Sequence, residues 1–191
     1  SLHPAHTLTA IVNSARLGAE RFGERVRIID TGSLTLGLGW QVIAAAEAIA
    51  AGGVLQSVLD AAASTRRRVR VLALLDTLEN LRRSGRISLF RASLGAVLQV
   101  KPLIELAEGG LNILSQQRTR AKALAGLIAL VKSLGAMERL AVLYTDNHDL
   151  ALEVREAAAP QCQTQSLVIQ VTPTIGAHIG PNAVGVAAVI Q

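Results

Sequence analysis

The sequence predicts an α/β protein in two lobes, and three observations carry that expectation. Short β-branched runs alternate with segments whose apolar residues recur at helical spacing. Half of the 191 residues are hydrophobic but only 2% are aromatic, so the core is built from Leu, Val, Ile and Ala. After about Arg86 the texture changes to a glycine-turned hairpin followed by further strands and helices. The expected lobes are therefore 1–85 and 86–191, with no Pro-, Gly- or Ser-rich linker between them. A chain of this length buries a substantial core.

The elements follow in order. Leu8, Ile11, Val12, Ala15 and Ala19 recur at helical spacing, with Thr7 or Thr9 available as N-cap. Arg25 to Asp30 reads as a strand ending on an acid. One helix from about Gly37 to Ala51 closes on Gly52-Gly53, and a second runs from about Val54 to Thr65. Val69 to Leu75 is the next strand, leading to Asp76. Thr77 to Ser84 is helical and stops at Gly85, and Ser88 to Val100 is helical again.

In the second half, Leu103 to Leu106 and Leu111 to Ser115 form a hairpin around Glu108-Gly109-Gly110. Thr119 to Leu134 is a long amphipathic helix stopped by Gly135. Leu140 to Tyr144 is a strand, Asn147 to Ala159 a helix ended by Pro160, and Leu167 to Val171 a strand. Ala183 to Ile190 reads as a buried strand. Before it, Thr174 to Asn182 gathers glycines, Pro181 and His178 without an apolar period. A histidine in such a loop offers a hydrogen bond or a charge near neutral pH. A tight turn whose histidine caps nearby backbone is the alternative reading.

Composition excludes several classes. The formal charge of +5 is moderate, and one Trp, one Tyr and two Phe give no stacking platforms, which argues against nucleic-acid binding. Cys162 stands alone, so no internal disulfide forms and a cytoplasmic setting is expected. No apolar run reaches the roughly 20 residues that span a bilayer. The first residues lack the pattern of a signal peptide, and His3 and His6 are expected in a mobile terminus. Asp146-Asn147-His148-Asp149 reads as a helix N-terminus, because consecutive residues cannot all face one metal ion. Arg66-Arg67-Arg68 and Arg70 read as a solvated face complementing a helix dipole. No Walker loop, nucleophile elbow, H-E-x-x-H or Cys/His cluster is present.

The order of the remaining blocks is more specific. Asp30-Thr31-Gly32-Ser33-Leu34-Thr35-Leu36-Gly37-Leu38-Gly39 is followed by Leu78 to Ile87, ending in Gly85-Arg86-Ile87. Then come Lys101-Pro102, the Glu108-Gly109-Gly110 turn, Arg118-Thr119-Arg120 and the histidine segment. Together these resemble the DegV family from about Leu8 onward. They match D-S-x-x-x-S-x-G-x-G, L-x-x-L-x-x-G-R-I, a K-P hairpin, a basic strand end and G-x-H-x-G-P-G.

The resemblance implies a two-lobed fold, with the remainder of a parallel-sheet lobe followed by an α/β lobe carrying the hairpin. It implies a protein that encloses one long-chain fatty acid and presents the carboxylate to a partner fatty acid kinase. It implies no catalysis by the chain itself and no cofactor beyond the bound fatty acid. By motif, the head-group residues fall on Thr9, Arg86, His178 and Gly180, and a kinase-contact arginine on Arg118. A carboxylate removed from water needs such charge-assisted donors. The tail supplies most of the affinity, because about fourteen methylenes at ~0.8 kcal/mol each give on the order of 11 kcal/mol before ordering costs.

This chain departs from the family pattern in three ways. The family's first strand and its D-S-x-x-D and T-S-x-P-S loops lie upstream of where this sequence starts, which reads as a fragment, a proteolysed core or a shortened member of the family. Thr9-Ala10-Ile11 stands where S-G-T is usual, and Asn182 replaces a glycine. An alternative expectation is therefore a core that no longer binds lipid and serves as a structural or regulatory interaction domain, with self-association. A catalytic relative of dihydroxyacetone kinase-like proteins is a third, for which the acids that position phosphate or metal are lacking.

Overall fold

The computed structural model describes residues 1–90 and 100–191. The short strands β1 (Leu2–His3) and β2 (Ile29–Asp30) pair in parallel. The helices α1 (Ile11–Ala19), α2 (Thr35–Ala50) and α3 (Leu55–Arg68) accompany them. Next come β3 (Val69–Leu74) and the one-turn helix α4 (Glu79–Arg83). The hairpin is β4 (Lys101–Ala107) and β5 (Gly110–Gln117). The rest is α5 (Arg120–Ser133), β6 (Met137–Tyr144), α6 (His148–Ala158), β7 (Leu167–Gln170), α7 (Pro173–Ile179) and β8 (Val184–Ile190).

Six strands form one mixed sheet in the order β5-β4-β3-β8-β6-β7, antiparallel except for the β6/β7 pair. The last strand in sequence, β8, is thus central, and its Val/Ala/Gly run suits burial on both faces. Gly185 is required there, since a Cβ would lie 2.5 Å from the Leu72 carbonyl oxygen. Strand β3 precedes Gly85 yet pairs with both β4 and β8. The division expected at 85/86 therefore does not coincide with a division between sheets.

Side chains alternate across the sheet. Leu72, Leu74, Leu140 and Val142 pack against Leu127 and Val131 of α5 and Val154 of α6. Val71, Ile104, Leu143 and Val189 face the other way, toward Trp40 of α2, Leu81 of α4 and Ile179 of α7. Trp40 also donates from its indole to the Ala187 carbonyl at 3.2 Å. Among the described residues, no helix is long and apolar enough to cross a membrane.

Several expected boundaries change. The strand expected over Arg25 to Asp30 is reduced to Ile29–Asp30. Glu20–Arg25 forms a 3-10 segment in which Gly23 takes φ 54°, and Ile29–Asp30 pairs with Leu2–His3. His3 and His6 are not in a loose terminus: His3 lies in β1, the Ser1 ammonium donates to Arg27, and His6 bonds Asp30. His178 sits in the last turn of a helix and not in a loop. Pro173 at its start and Gly180 (φ 80°) at its end are ordinary helix punctuation. The helix expected over Ser88 to Val100 falls mostly outside the described residues, apart from a 3-10 turn at Ile87–Leu89. The N-cap expected at Asn147 is present, its side chain accepting from the Leu150 amide at 3.0 Å.

Candidate functional site

A cavity of about 520 Å³ lies between the second face of the sheet and the helices α2, α4 and α7. Its wall is mainly aliphatic, with Leu36, Val71, Ile104, Leu111, Ile169 and Ile175 spanning the breadth of the sheet. A volume of that order suits a small-molecule ligand. Three of the residues singled out in the sequence, Thr9, Arg86 and His178, line it together.

Each reaches the cavity by a different local device. Thr9 precedes α1, and its hydroxyl accepts from the Ile11 amide at 3.4 Å, a long bond that leaves the oxygen's other capacity unused. Arg86 follows a Schellman close of α4. The Arg86 amide donates to Leu81 at 2.8 Å and the Gly85 amide to Arg82 at 3.1 Å, with Gly85 at φ 73°. One guanidinium nitrogen of Arg86 caps the Ser84 carbonyl at 2.7 Å. Capping and cavity lining therefore coexist in this residue, since a guanidinium carries five donors.

Helix α4 is itself tightened by charge. Hydrogen bonds from Arg82 and then Arg83 hold Glu79 down to about 2.

His178 is half-buried in the last turn of α7. Its Nδ1 is buried without a hydrogen-bond partner among the described residues. The turn after α7 is clamped from several elements. Arg120 donates to the Asn182 carbonyl, Asp146 accepts from the Asn182 amide at 2.7 Å, and Thr145 accepts from the Ala183 amide at 3.0 Å. Asp76 joins this group through Lys101 at 2.7 Å and Arg120 at 3.4 Å. Asn182 takes φ 56°, the conformation its replacement of glycine calls for.

The other two singled-out residues lie elsewhere. Gly180 is not among the lining residues; its amide closes α7 onto Gly176 at 2.8 Å, and a Cβ there would meet the Asn80 amide group at 2.8 Å. Arg118 is exposed just beyond β5, away from the cavity wall.

Sequence reasoning missed Thr35. It lines the same cavity, and its buried hydroxyl has no partner among the described residues. It adopts φ 50°, a conformation that costs a β-branched residue strain and is concentrated at functional sites. The threonine stood inside a recognised block, but the backbone angle that makes it notable has no signature in the letters.

Among the described residues, no group of three or more His, Cys, Asp or Glu could hold a metal ion. Fold and site together define an α/β protein with an aliphatic cavity marked by an imidazole, a guanidinium and hydroxyls. The chain belongs to the DegV family, whose profile, described as an uncharacterised protein family, matches residues 1–191.

Relatives agree. A DegV domain-containing protein of Mycobacterium tuberculosis is 36% identical over 191 residues, covering 97% of this chain and 68% of the relative. One from Streptomyces coelicolor is 35% identical over 195 residues, with the same coverage. Among solved structures, the DegV family protein Cg2579 from Corynebacterium glutamicum superposes with TM-score 0.89 at 27% identity, covering all of this chain and 74% of that one. A DegV family protein from Thermus thermophilus, described for its fatty acid binding, superposes with TM-score 0.88 at 30% identity, covering all of this chain and 70% of that one.

Proposed function

We propose that this protein binds a long-chain fatty acid and presents its carboxylate to a partner fatty acid kinase, acting as a lipid carrier and not as a catalyst. The observation that carries the binding half is the cavity: an aliphatic slot that meets Thr9, Arg86 and His178 at its wall. Arg86 and a protonated His178 supply charge-assisted donors to a carboxylate, and the aliphatic wall takes the chain. Thr35 adds a second hydroxyl that has no hydrogen-bond partner among the described residues. The fatty acid binding of the Thermus relative supports the same ligand class.

Gentle native mass spectrometry of the purified protein, with lipid extraction, tests the reading. The expected result is one fatty acid per chain. Recovery of empty protein that also fails to take up palmitate or oleate would overturn it.

The kinase half rests on the family resemblance and on the exposure of Arg118 beside α5. With a DegV-associated fatty acid kinase and ATP, the loaded protein should yield acyl phosphate. Arg118→Ala should lower that yield while leaving fatty acid retention intact.

A second reading is a structural or regulatory interaction domain. Its specific support is the set of apolar side chains left exposed on the first helices: Leu17 at 68%, Ile49 at 62% and Val54 at 70%. Light scattering that finds self-association in protein unable to take up fatty acid would favour it.

A further inference from the structure

A second cavity, of about 410 Å³, adjoins the first on the same side of the sheet, and Leu106 borders both. Its character is opposite. The wall carries Arg66 and Arg67 from the end of α3 and Arg70 from β3, with Ser33 and Gln41 from the start of α2. Glu105 and Glu108, from β4 and the turn after it, complete the wall. Arg66 and Arg67 are exposed, as a solvated face requires, and with the half-buried Arg70 they border a polar groove open to solvent.

Three features set this cavity apart from an ordinary charged surface. First, among the described residues none of the three arginines has a carboxylate within ion-pair distance, and neither glutamate has a cationic partner. Arg66 donates to the Asp30 carbonyl, Arg70 to the Arg67 and Val69 carbonyls, and Arg67 to nothing described. Among the described residues, most of the five donors of each guanidinium thus have no protein partner. Second, Ser33 is only 5% exposed, and its hydroxyl has no hydrogen-bond partner among the described residues. A buried hydroxyl without a partner is costly and calls for a reason. Third, Ser33 stands immediately before Leu34, the N-cap residue of a 16-residue helix that has no side-chain cap, so the positive end of that dipole lies beside it.

The geometry points to a second binding site in this polar cavity, for an oxyanion of the phosphate monoester class. A phosphate offers three acceptor oxygens to donors that come from α3, β3 and the approach to α2, whereas a carboxylate offers two. Guanidinium forks match either, but the number of separate donors matches phosphate better. Glu105 and Glu108 accept only, so they favour an ester whose alcohol part carries hydroxyl or ammonium donors on their side. The same group occurs on small phosphate esters and on the headgroup of phosphatidic acid.

Titration calorimetry with sodium phosphate, against sodium chloride at equal ionic strength, reads the free-phosphate arm. Sedimentation with phosphatidic acid vesicles, against phosphatidylcholine vesicles, reads the headgroup arm. Saturable heat assigns the site to soluble phosphate, and vesicle capture without heat assigns it to the headgroup. In whichever arm responds, Arg67→Gln should weaken binding about tenfold, the loss of one charge-assisted contact. Ser33→Ala should weaken it severalfold without lowering the melting temperature, since it deletes a hydroxyl with no partner among the described residues. Fatty acid retention should be unchanged in both variants, so this test stands apart from that of the lipid cavity. Absence of response in both arms, or equal response in wild type and both folded variants, would overturn the inference.

Discussion

The two faces of the six-stranded sheet are built from alternate residues of the same strands, yet one is filled and the other is hollow. On the first, α5 and α6 lay 14 and 11 residues of helix across the strands, and Leu127, Val131 and Val154 are essentially inaccessible. On the second, the cover over the cavity includes α4 with 5 residues and α7 with 7, joined by turns. Helices that short cannot present a continuous apolar stripe, and the space they leave is the cavity. Foldedness is secured on one face, and ligand capacity is left to the other.

The largest expected effect comes from carving into the filled face. Leu127→Ala should cost about 2–5 kcal/mol in urea denaturation, through lost burial and a new void. Ile175→Ala, at the hollow face, should cost less than about 1 kcal/mol because its side chain already borders empty space, while reducing fatty acid retention. Equal costs would mean that the second face is as tightly packed as the first.

Next come the places where backbone must approach closely. Gly109→Ala should cost roughly 1–3 kcal/mol. Gly109 takes φ 75°, and a Cβ would sit 2.8 Å from the Thr7 hydroxyl, which donates to its carbonyl. That contact docks the hairpin turn on the segment before α1, so the variant should also loosen the cavity's edge. Retained ligand with unchanged stability would show that the docking contributes little.

Smaller still in stability, but large in function, is His178→Ala. Its Nδ1 has no described partner to lose, so the melting curve should shift by no more than the equivalent of about 0.5 kcal/mol, with loss of retained fatty acid. Arg86→Ala separates its two roles. Loss of ligand with the fold intact assigns it to the cavity, whereas unfolding with binding preserved in the folded fraction assigns it to capping Ser84.

The smallest expected effect is a pH dependence of the β1/β2 region. Burial pushes the Asp30 carboxyl up, but bonds from the Gly32 amide and from His6 outweigh it and hold the group below its ordinary value. A carboxyl depressed in the folded state stabilises above its unfolded pKa, and that contribution is lost as pH falls through the folded value. The contribution of Asp30 should therefore be constant near neutral pH and be lost as pH falls below about 4 through the folded value, and Asp30→Asn should flatten that part of the acid decline. An unchanged slope would remove Asp30 from the account.

Much of the chain after residue 100 could be read in advance. The hairpin about Gly109, the cap at Asn147 and the strand over Ala183 to Ile190 all announce themselves through local chemistry that tertiary packing does not override. The N-terminal region was harder to read. Val26 and Arg27 have strand-like neighbours in sequence, yet among the described residues the paired strand begins only at Ile29. Thr9, Arg86 and His178 were visible through family motifs, whereas Thr35 depends on a left-handed backbone angle and an unpaired hydroxyl. The arginines of α3 and β3 read as a solvated face complementing a helix dipole, and Arg66 and Arg67 are exposed; that they border one polar groove depends on the tertiary fold.

By themselves, the letters determined the α/β class, the aliphatic core, the helix stops and the residue types able to hold an acid. Those properties come from hydrophobic period and backbone preference, which act over a few neighbours. Only the folded chain decided that β8 would lie at the centre of the sheet, that one face would close solidly and the other stay open, and that residues 9, 86 and 178 would share a wall. Such outcomes depend on which distant segments meet, and on how completely short helices cover a twisted sheet.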